Sequence, residues 1–423
     1  MSALQFSLLP DTAAVGPSGQ LFIGGCDTLE LAAQFGTPLF VYDEAHLRAR
    51  CREAVAAFGP GVNFATKAFL CTAMAKLAAE EGCNLDVSTA GEYHVARAAG
   101  VPAERLVLHG NNKSTEELRR AITEGVGRII VDSFDELDRI EALVAAGLPA
   151  PNVLIRVTPG VEAHTHEFVR TGQDDSKFGF GLSTGMAEAA VTRAAASPLM
   201  ELVGIHAHIG SQVFEARFFE MAIEVLAPFV ERHALAEFSV GGGLGVAYVN
   251  GEEAPSITEW AAAVHRACAH AGITARVTAE PGRSLVAQAA ITLYEVGTIK
   301  DIPGIRTYVS VDGGMSDNAR PILYGSHYEA FLPREVGADR PRTATIVGKH
   351  CESGDLLIRD ALVPEDLEVG DILATPVTGA YGYSLSSNYN KVTRPAVVFV
   401  ADGEARLVVR RETLDDLLSL DLG

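Results

Sequence analysis

Four side chains with possible chemistry lie between two glycines in the stretch VGKHCESGD, residues 347–355. His350, Cys351, Glu352 and Asp355 could form a metal site, supply a nucleophile or a proton donor, or belong to a solvated turn. Adjacent His350 and Cys351 are awkwardly placed to chelate one ion, and no partner cluster accompanies them, so we expect no metal. A nucleophilic cysteine needs an adjacent base, which His350 could be. The stretch alone leaves these roles open.

A lysine follows the first strand-like segment of the chain. Lys67 lies in NFATKAFL, and VNFATKA is short, mostly apolar and rich in β-branched or aromatic residues. One interpretation is a rim lysine whose charge extends into solvent. The other is an activated amine that forms a Schiff base with a carbonyl group.

Two further groups follow later strand-like segments. GGGLG, from Gly241 to Gly245, is either a tight turn or a place where missing Cβ atoms let backbone N–H groups approach a phosphate. AEPGRS contains Glu280 and Arg283. These two residues either pair with each other, or the carboxylate binds a ring nitrogen while the guanidinium binds an anion.

Two histidines alternate in GIHAHIGSQ, which carries the sixth strand-like segment. We expect His206 and His208 to point to opposite faces of the strand, and therefore not to chelate one metal ion. One of them, followed by Ser211, could face the same end of the fold as Lys67.

Eight strand-like segments separated by helical ones must position these groups. They are VNFATKA, NLDVS, RLVLH, RIIVD, VLIRV, LVGIHAHIG, FSVGGG and RVTAEPG. Regular alternation predicts parallel strands with right-handed crossovers, and eight is the number that closes a barrel. The alternative is an open doubly wound sheet, which we disfavour because no G-x-G-x-x-G follows the first strand.

In such a barrel the carboxyl ends of the strands meet at one rim, where active sites lie. A lysine, a phosphate-binding turn, a histidine and a carboxylate for a ring nitrogen would then come together. That combination is what a protein contributes to pyridoxal 5′-phosphate, so the sequence predicts this cofactor.

The pattern changes after about residue 290, where strand-like segments such as RTYVSVDGG and DLLIRDALVP alternate with turn residues. We therefore predict an α/β fold, a (β/α)8 TIM-like barrel over residues 39–290 followed by a second, mostly β C-terminal domain over 291–423. Residues 1–38 are predicted to dock on the β domain. The final RETLDDLLSLDL is predicted to form a short amphipathic helix.

Composition restricts the partners. The formal net charge is −20 over 423 residues, which disfavours binding to nucleic acid or to an anionic membrane. The first residues lack a basic segment before an apolar run, and no stretch of about 18 apolar residues occurs. The six cysteines are scattered, without a CxxC pair. These features predict a cytoplasmic, reduced protein.

The chain resembles the diaminopimelate decarboxylase family of barrel-type (fold-type III) pyridoxal-phosphate-dependent decarboxylases over nearly its whole length. The stretches that carry the resemblance are FATKAFL, LDVSTAGE, LHGNNKS, AHTHEFVRTGQDDSKFGFGL, HAHIGSQ, VGGGLG, EPGRSL, VDGGMSDNARPILYG, GKHCESGD and GAYGYSLSSNYN. HGNNKS, CESGD and SSNYN are specific to this family rather than to the wider superfamily.

The resemblance implies a role for each candidate residue. Lys67 would hold the cofactor covalently, His208 would stack on its pyridine ring, and Glu280 would pair with the ring nitrogen. Cys351 would be the proton donor. In this family the CESGD loop reaches into the neighbouring subunit's site, so the resemblance also implies a homodimer with shared active sites.

The remaining roles concern the phosphate and the substrate. Phosphate binding is implied for Ser211, Gly241, Gly242, Gly243 and Tyr381, with the backbone of the loop from Glu280 through Gly282 to Arg283. The remote carboxylate of the substrate would meet Arg283, Arg320 and Tyr324, and its remote ammonium would meet Glu352. Tyr381 is implied in substrate binding as well.

The activity implied is decarboxylation of meso-2,6-diaminopimelate to L-lysine and CO2, the last step of lysine biosynthesis. One alternative is a decarboxylase of ornithine, arginine or carboxynorspermidine, against which Arg320 argues. Another is an amino-acid racemase with Cys351 as one of two opposed bases, which would release no CO2. A non-catalytic carrier of the cofactor is expected to lack both the β domain and the CESGD loop.

Overall fold

A computed structural model describes residues 3–160 and 175–423. Part of the stretch AHTHEFVRTGQDDSKFGFGL, quoted above for its resemblance, lies outside the described residues. The chain divides into two compact units. A barrel unit comprises residues 50–245 and 254–284, and a β-rich unit comprises residues 1–49, 246–253 and 285–423. The domain boundaries that the sequence analysis set after residues 38 and 290 remain predictions.

The barrel unit contains the eight predicted strands, so the predicted (β/α)8 barrel is confirmed. They are β5 (Asn63–Ala65), β6 (Asn84–Val87), β7 (Leu106–Leu108), β8 (Arg128–Val131), β9 (Asn152–Thr158), β11 (Glu201–His206), β12 (Glu237–Ser239) and β13 (Arg276–Thr278). Neighbours pair in parallel in the order β13-β12-β11-β9-β8-β7-β6-β5, and a short β10 (Phe180–Gly181) pairs with β9. Each crossover between these strands is long enough to carry a helix, as parallel pairing requires.

Two backbone hydrogen bonds join the first and last strands. Asn63 N donates to Ala279 O at 2.9 Å, and Ala65 N donates to Pro281 O at 3.1 Å. The buried Val107, Ile130 and Leu154 pack together in the interior. In barrels of this kind active sites lie at the ends of the strands, so the groups at the carboxyl ends are the ones to consider.

One helix precedes the first barrel strand and the others follow strands, as the alternation predicted. They are α2 (Glu44–Phe58), α3 (Thr72–Glu80), α4 (Ala90–Ala98), α5 (Thr115–Glu124), α6 (Phe134–Ala145), α7 (Met186–Ala196), α8 (Arg217–Arg232), α9 (Ile257–His270) and the short α10 (Arg283–Val286). Ser114 and Glu117 form the predicted capping box at the start of α5. Their reciprocal bonds satisfy two backbone N–H groups that a helix start leaves without partners.

The β-rich unit is built on one mixed sheet. Its strands are β4 (Leu39–Asp43), β14 (Ala290–Ile302), β15 (Arg306–Val311), β16 (Arg342–Val347), β17 (Leu356–Val363), β18 (Ile372–Pro376), β19 (Ala396–Ala401) and β20 (Glu404–Val409). They pair in the order β17-β16-β15-β14-β4-β19-β20, and β18 also pairs with β14. The second, mostly β part predicted from the sequence is therefore confirmed. The segment Leu39–Asp43, which the sequence placed with the barrel, pairs here with β14 and β19.

The N-terminal residues of this unit form a small separate sheet of β1 (Ala14–Val15), β2 (Leu21–Ile23) and β3 (Cys26–Asp27), followed by α1 (Thr28–Phe35). Asp27 caps α1 by accepting from Leu29 N. A last helix, α11 (Arg320–Tyr324), follows β15. None of the helices in the described ranges is both long and apolar enough to cross a membrane.

The predicted C-terminal amphipathic helix is wrong. Only Asp416–Leu418 form a single 3-10 turn, and Leu414, Leu418 and Leu420 are exposed. A short amphipathic segment is stable as a helix only when its apolar face is buried, and here that face remains in solvent.

Candidate active site

Lys67 lies at the carboxyl end of the first barrel strand, in a 3-10 turn over Thr66–Ala68. Its side chain is exposed. Its charge nevertheless acts on Asp86, Glu92 and His208, which follow or end other strands of the barrel. The ammonium therefore lies at the rim formed by the carboxyl ends of the strands, where the sequence placed it.

The triple-glycine turn, Gly241–Gly243, follows β12 at the same rim. A Cβ atom added to any of the three would overlap a backbone carbonyl oxygen, and Gly241 and Gly243 also have positive φ angles of 70° and 108°. The turn is held from both sides, because Glu280 N donates to Gly241 O and Val213 N donates to Gly243 O. Glycine is thus required at these three positions by packing, and the backbone N–H groups of such a turn are also suited to binding a phosphate.

Ser211 and Arg283 lie next to each other at the rim, since the Arg283 Nη2 donates to Ser211 Oγ at 2.9 Å. Gly282 packs on the lysine turn, where a Cβ atom would lie 3.0 Å from Ala65 Cβ and 3.3 Å from Ala68 Cβ. The loop after the eighth strand therefore joins the serine to the turn that carries the lysine. Arg283 therefore has Ser211 as one hydrogen-bond partner.

Glu280 is buried deep at the rim. His206 Nε2 lies 2.8 Å from its Oε2, and Ser239 Oγ donates to its Oε1 at 3.1 Å. Burial alone would raise the pKa of the Glu280 carboxyl, but His206 and His109 hold it well below its usual range. Glu280 is therefore an ionised acceptor, as expected of the partner of a protonated ring nitrogen.

The predicted placement of His206 and His208 on opposite faces is wrong, because residues two apart in an extended strand share a face. Both rings interact with Glu280 and with each other. His208 Nδ1 accepts a hydrogen bond from Gly242 N at 3.2 Å, which ties it to the glycine turn. Burial, and then the charges of Lys67 and Arg156, lower the pKa of His208 well below its usual value, so it is a neutral ring.

Two buried residues near Glu280 were not singled out from the sequence. His109 follows β7 with its Nε2 at 3.4 Å from Glu280 Oε1 and 3.8 Å from Asp86 Oδ1. The second residue is Asp86. Both could have been identified by their position, because Asp86 lies in β6 and His109 directly after β7, at the edge of the sheet where parallel strands end. Among the described residues, His109, His206 and Glu280 are the one group whose donor atoms could hold a metal ion.

These groups of the barrel unit fit pyridoxal 5′-phosphate. An exposed amine, a turn in which a Cβ atom has no room, a neutral histidine tied to that turn and an ionised carboxylate share one rim. Each matches one part of the cofactor, namely its carbonyl carbon, its phosphate, its ring face and its ring nitrogen.

Within the β-rich unit, Arg320 is 5 % exposed and begins α11. Its guanidinium donates to Tyr328 Oη at 2.5 Å and lies 4.3 Å from the ring centre of Tyr248. Over residues 3–160 and 175–423 it forms no ion pair with a carboxylate. Tyr324 lies four residues later on α11, so the two side chains share a face of the helix.

The loop that carries Cys351 and Glu352 is fixed by its neighbours. His350 is buried, and its Nε2 lies 2.8 Å from Ser316 Oγ, while Asp355 Oδ2 accepts from His350 N at 2.9 Å. The side chains of Cys351 and Glu352 are exposed. His350 is thus occupied in holding the loop, and the base role considered for it has no support from this geometry.

The stretch SSNYN contributes to the same loop. Cys351 N donates to Asn390 Oδ1 at 3.2 Å, and Tyr389 Oη donates to Glu352 Oε2 at 3.4 Å. Tyr381, in GAYGYS, has a left-handed φ of 60°, a conformation that non-glycine residues adopt rarely and often at functional sites. The SSNYN stretch and the CESGD loop, which are far apart in the sequence, therefore contact each other at Cys351 and Glu352.

Comparison with known proteins identifies the family. Residues 44–287 match the model described as "Pyridoxal-dependent decarboxylase, pyridoxal binding domain". Curated proteins named diaminopimelate decarboxylase are 49 % identical in Mycobacterium bovis, over 96 % of this chain and 95 % of that protein, and 46 % identical in Bacillus subtilis, over 98 % of each. The chain belongs to the diaminopimelate decarboxylase family. This family depends on pyridoxal 5′-phosphate, so the cofactor predicted from the rim residues is confirmed.

Solved structures extend the match to the fold. The crystal structure of diaminopimelate decarboxylase from M. jannaschii has a TM-score of 0.90, with 32 % identity and 98 % coverage of both chains. The same enzyme was also solved in complex with L-lysine. A diaminopimelate decarboxylase from Helicobacter pylori with L-lysine has a TM-score of 0.86 and 30 % identity over 93 % of this chain and 99 % of that one. Diaminopimelate decarboxylases thus share the architecture described above over nearly the full chain.

Proposed function

We propose that this chain decarboxylates meso-2,6-diaminopimelate to L-lysine and CO2, with pyridoxal 5′-phosphate held on Lys67. Support comes from the curated relatives of that name and from the fit of the rim to the cofactor. The M. jannaschii enzyme was solved in complex with L-lysine, which is the product expected of the proposed reaction.

The choice of substrate depends on the buried guanidinium of Arg320. A buried charge without an opposite partner is costly, and within the described ranges the nearest groups to this one are tyrosines. A substrate with a second carboxylate would supply the missing partner in a bidentate pair. Ornithine, arginine and lysine have no second carboxylate, so they would leave Arg320 unpaired.

The remaining substrate contacts are assigned by charge. We place Tyr324, Arg283 and Tyr381 with Arg320 around the remote carboxylate, and Glu352 at the remote ammonium. The exposed Glu352 carboxylate, next to Tyr389, supports this role. Together they would recognise both charges of the second amino-acid head.

The chemistry of the cofactor, when bound, is to accept the electron pair that remains on Cα after the carboxylate leaves. Glu280 would keep the ring nitrogen protonated, because its carboxyl is ionised. His208 would cover one ring face, and Ser211 with the backbone of Gly241–Gly243 and Gly282 would bind the phosphate. All of these groups lie at the rim of the barrel unit.

A proton must return to Cα after CO2 has left, and it has to come from a positioned acid. We propose the exposed thiol of Cys351 as this acid. The bonds from Asn390 and Asp355 hold the backbone around it, which supports a fixed donor rather than a solvated turn. As the resemblance implies, we propose that the loop serves the site of a second subunit in a homodimer, in the cytoplasm.

Release of CO2 from meso-diaminopimelate, measured beside ornithine, arginine and lysine, tests the proposal. We expect turnover of diaminopimelate alone. Arg320→Met should lower kcat/KM by a factor of about 30 to 4,000, since truncating one partner of a buried charged pair costs about 2–5 kcal/mol. Arg193→Met, which removes an arginine in a surface ion-pair cluster, is the matched control and should behave like the wild type.

Comparable CO2 release from ornithine or arginine would contradict the substrate assignment. Exchange of the α-hydrogen with no CO2 would favour a racemase instead. Unchanged kinetics in Arg320→Met would remove Arg320 from the recognition of the remote carboxylate.

A further inference from the structure

Two histidines flank the carboxylate of Glu280. His206 Nε2 lies 2.8 Å from Oε2, and His109 Nε2 lies 3.4 Å from Oε1. The two rings meet edge to face, with their centres 5.1 Å apart and their planes at 77°. All three side chains are buried. Each oxygen of the carboxylate therefore has its own imidazole.

The two histidines have different electrostatic surroundings. His109 lies between two carboxylates, with Asp86 Oδ1 at 3.8 Å on its other side. Burial opposes a charge on His109, but Asp86 and Glu280 raise its pKa above the usual value. Burial lowers the pKa of His206, despite its contact with Glu280. His109 thus lies between two carboxylates and has the raised pKa, whereas His206 contacts Glu280 and has the lowered one.

Other charged groups act on this cluster from the neighbouring elements. Arg156 on β9 interacts with Glu280 and Asp86, and Lys67 after β5 interacts with Asp86. His208 lies beyond β11 and is neutral. Burial raises the pKa of Asp86 to about 6, so this carboxyl is itself only weakly acidic. Because Arg156 cannot titrate near neutral pH, His109 and Asp86 are the groups that can redistribute a proton beside Glu280.

We infer that His109 and His206 are positioning residues with divided roles near neutral pH: His109, which lies between two carboxylates, supplies the positive charge beside Glu280, and His206 fixes the direction of its carboxylate. This inference rests on the proposed function, in which Glu280 pairs with the ring nitrogen of the cofactor. It adds that the protonation of that nitrogen depends on His109, a residue one further step away from the cofactor.

The first test uses the protein without cofactor. Histidine side chains labelled with 15N are titrated by NMR, and His109→Gln and His206→Gln assign the two signals. We expect His109 to remain protonated above the ordinary midpoint of about 6.5, and His206 to remain neutral. Glu280→Gln should lower the midpoint of His109 by about 1 unit or more, because it removes a charge in contact. A His109 that is neutral at pH 6.5, or that does not respond to Glu280→Gln, would overturn the inference.

The second test uses cofactor labelled with 15N in its ring. His109→Gln removes the charge, whereas His206→Gln keeps an N–H donor near the original position. We expect the ring nitrogen of His109→Gln to lose its proton at a pH lower by about 1 unit or more, and that of His206→Gln to follow the wild type closely. Equal shifts in both variants, or none in His109→Gln, would refute the division of roles.

Borohydride reduction followed by peptide mass analysis separates this failure from a failure of the proposed function. A wild-type protein that carries no cofactor on Lys67 contradicts the proposed function. A loaded wild type whose ring nitrogen ignores His109→Gln contradicts only the inference. If His109→Gln does not retain cofactor, the titration of the cofactor-free protein decides.

Discussion

Lys113 Nζ lies 2.7 Å from Glu136 Oε1, and the side chains of both residues are only 2 % exposed. The ammonium also donates to Gly110 O and Ile130 O, each at 2.6 Å. Lys113 belongs to HGNNKS, the stretch that begins with His109. This buried pair therefore anchors the loop that places His109 beside Glu280.

Replacing Lys113 by Met should lower the free energy of unfolding by about 3–5 kcal/mol, because it leaves the Glu136 charge buried without its partner. Urea unfolding followed by circular dichroism measures the change. The double variant Lys113→Met with Glu136→Leu should recover part of the loss, since no charge then remains unpaired. A double variant less stable than Lys113→Met would show that the pair does not act as a unit.

Lys67→Ala should abolish the visible absorbance of the bound cofactor, because the amine that forms the covalent link is gone. Reduction of the wild type with borohydride should add the mass of the cofactor to the peptide that contains Lys67. Lys76→Ala on α3, which removes an exposed lysine near Glu80, is the control and should keep the full chromophore. Retention of the chromophore in Lys67→Ala would exclude Lys67 as the attachment point.

Cys351→Ala should keep the cofactor absorbance and lose turnover by a factor of about 10²–10⁴, the usual contribution of a positioned general acid. CO2 release and absorbance spectra measure the two quantities separately. Cys26→Ala removes a half-buried cysteine and should leave both unchanged. Full activity in Cys351→Ala would assign the proton donation to another group.

Glu352→Gln should raise KM for diaminopimelate by a factor of roughly 10–10² with a smaller change in kcat, because a charged hydrogen bond to the remote ammonium becomes a neutral one. Steady-state kinetics checks this split. Glu365→Gln removes an exposed carboxylate from the loop after β17 and serves as the control. Identical kinetics for the Glu352 and Glu365 variants would place Glu352 outside the recognition of the substrate.

Glu237 should make stability depend on pH. Burial would raise its pKa, but the ion pairs of Arg128 and Arg276 hold the pKa below its usual value. A depressed folded-state pKa contributes stability above the unfolded value of about 4.3, and that stability is lost as the pH falls through the folded value. Glu237→Gln should therefore destabilise the protein at pH 7 and progressively less below about pH 4.3. A difference in the free energy of unfolding that stays constant from pH 7 to pH 4 would contradict this.

The barrel was predictable because its signal is local and repeated. Every one of the eight strand-like segments overlaps a strand of the structure, and the Ser114–Glu117 capping box starts the predicted helix. The C-terminal segment had a comparable pattern but formed only a single 3-10 turn, and Leu418 and Leu420 are exposed. Periodicity thus predicts an element only when the fold also supplies a surface for it.

The sequence by itself determined the order of strands and helices, the residue types at the strand ends and, through its resemblance, the family. Only the tertiary structure decided which partners those residues meet. The pairing of Arg283 with Ser211, the anchoring of Cys351 by Asn390 and the pair of histidines around Glu280 join residues 39 to 171 positions apart. From the sequence, the position of a residue at a strand end predicts only that its side chain lies at the rim. The distance and charge of its neighbours there, which set its protonation and its role, depend on how the barrel closes.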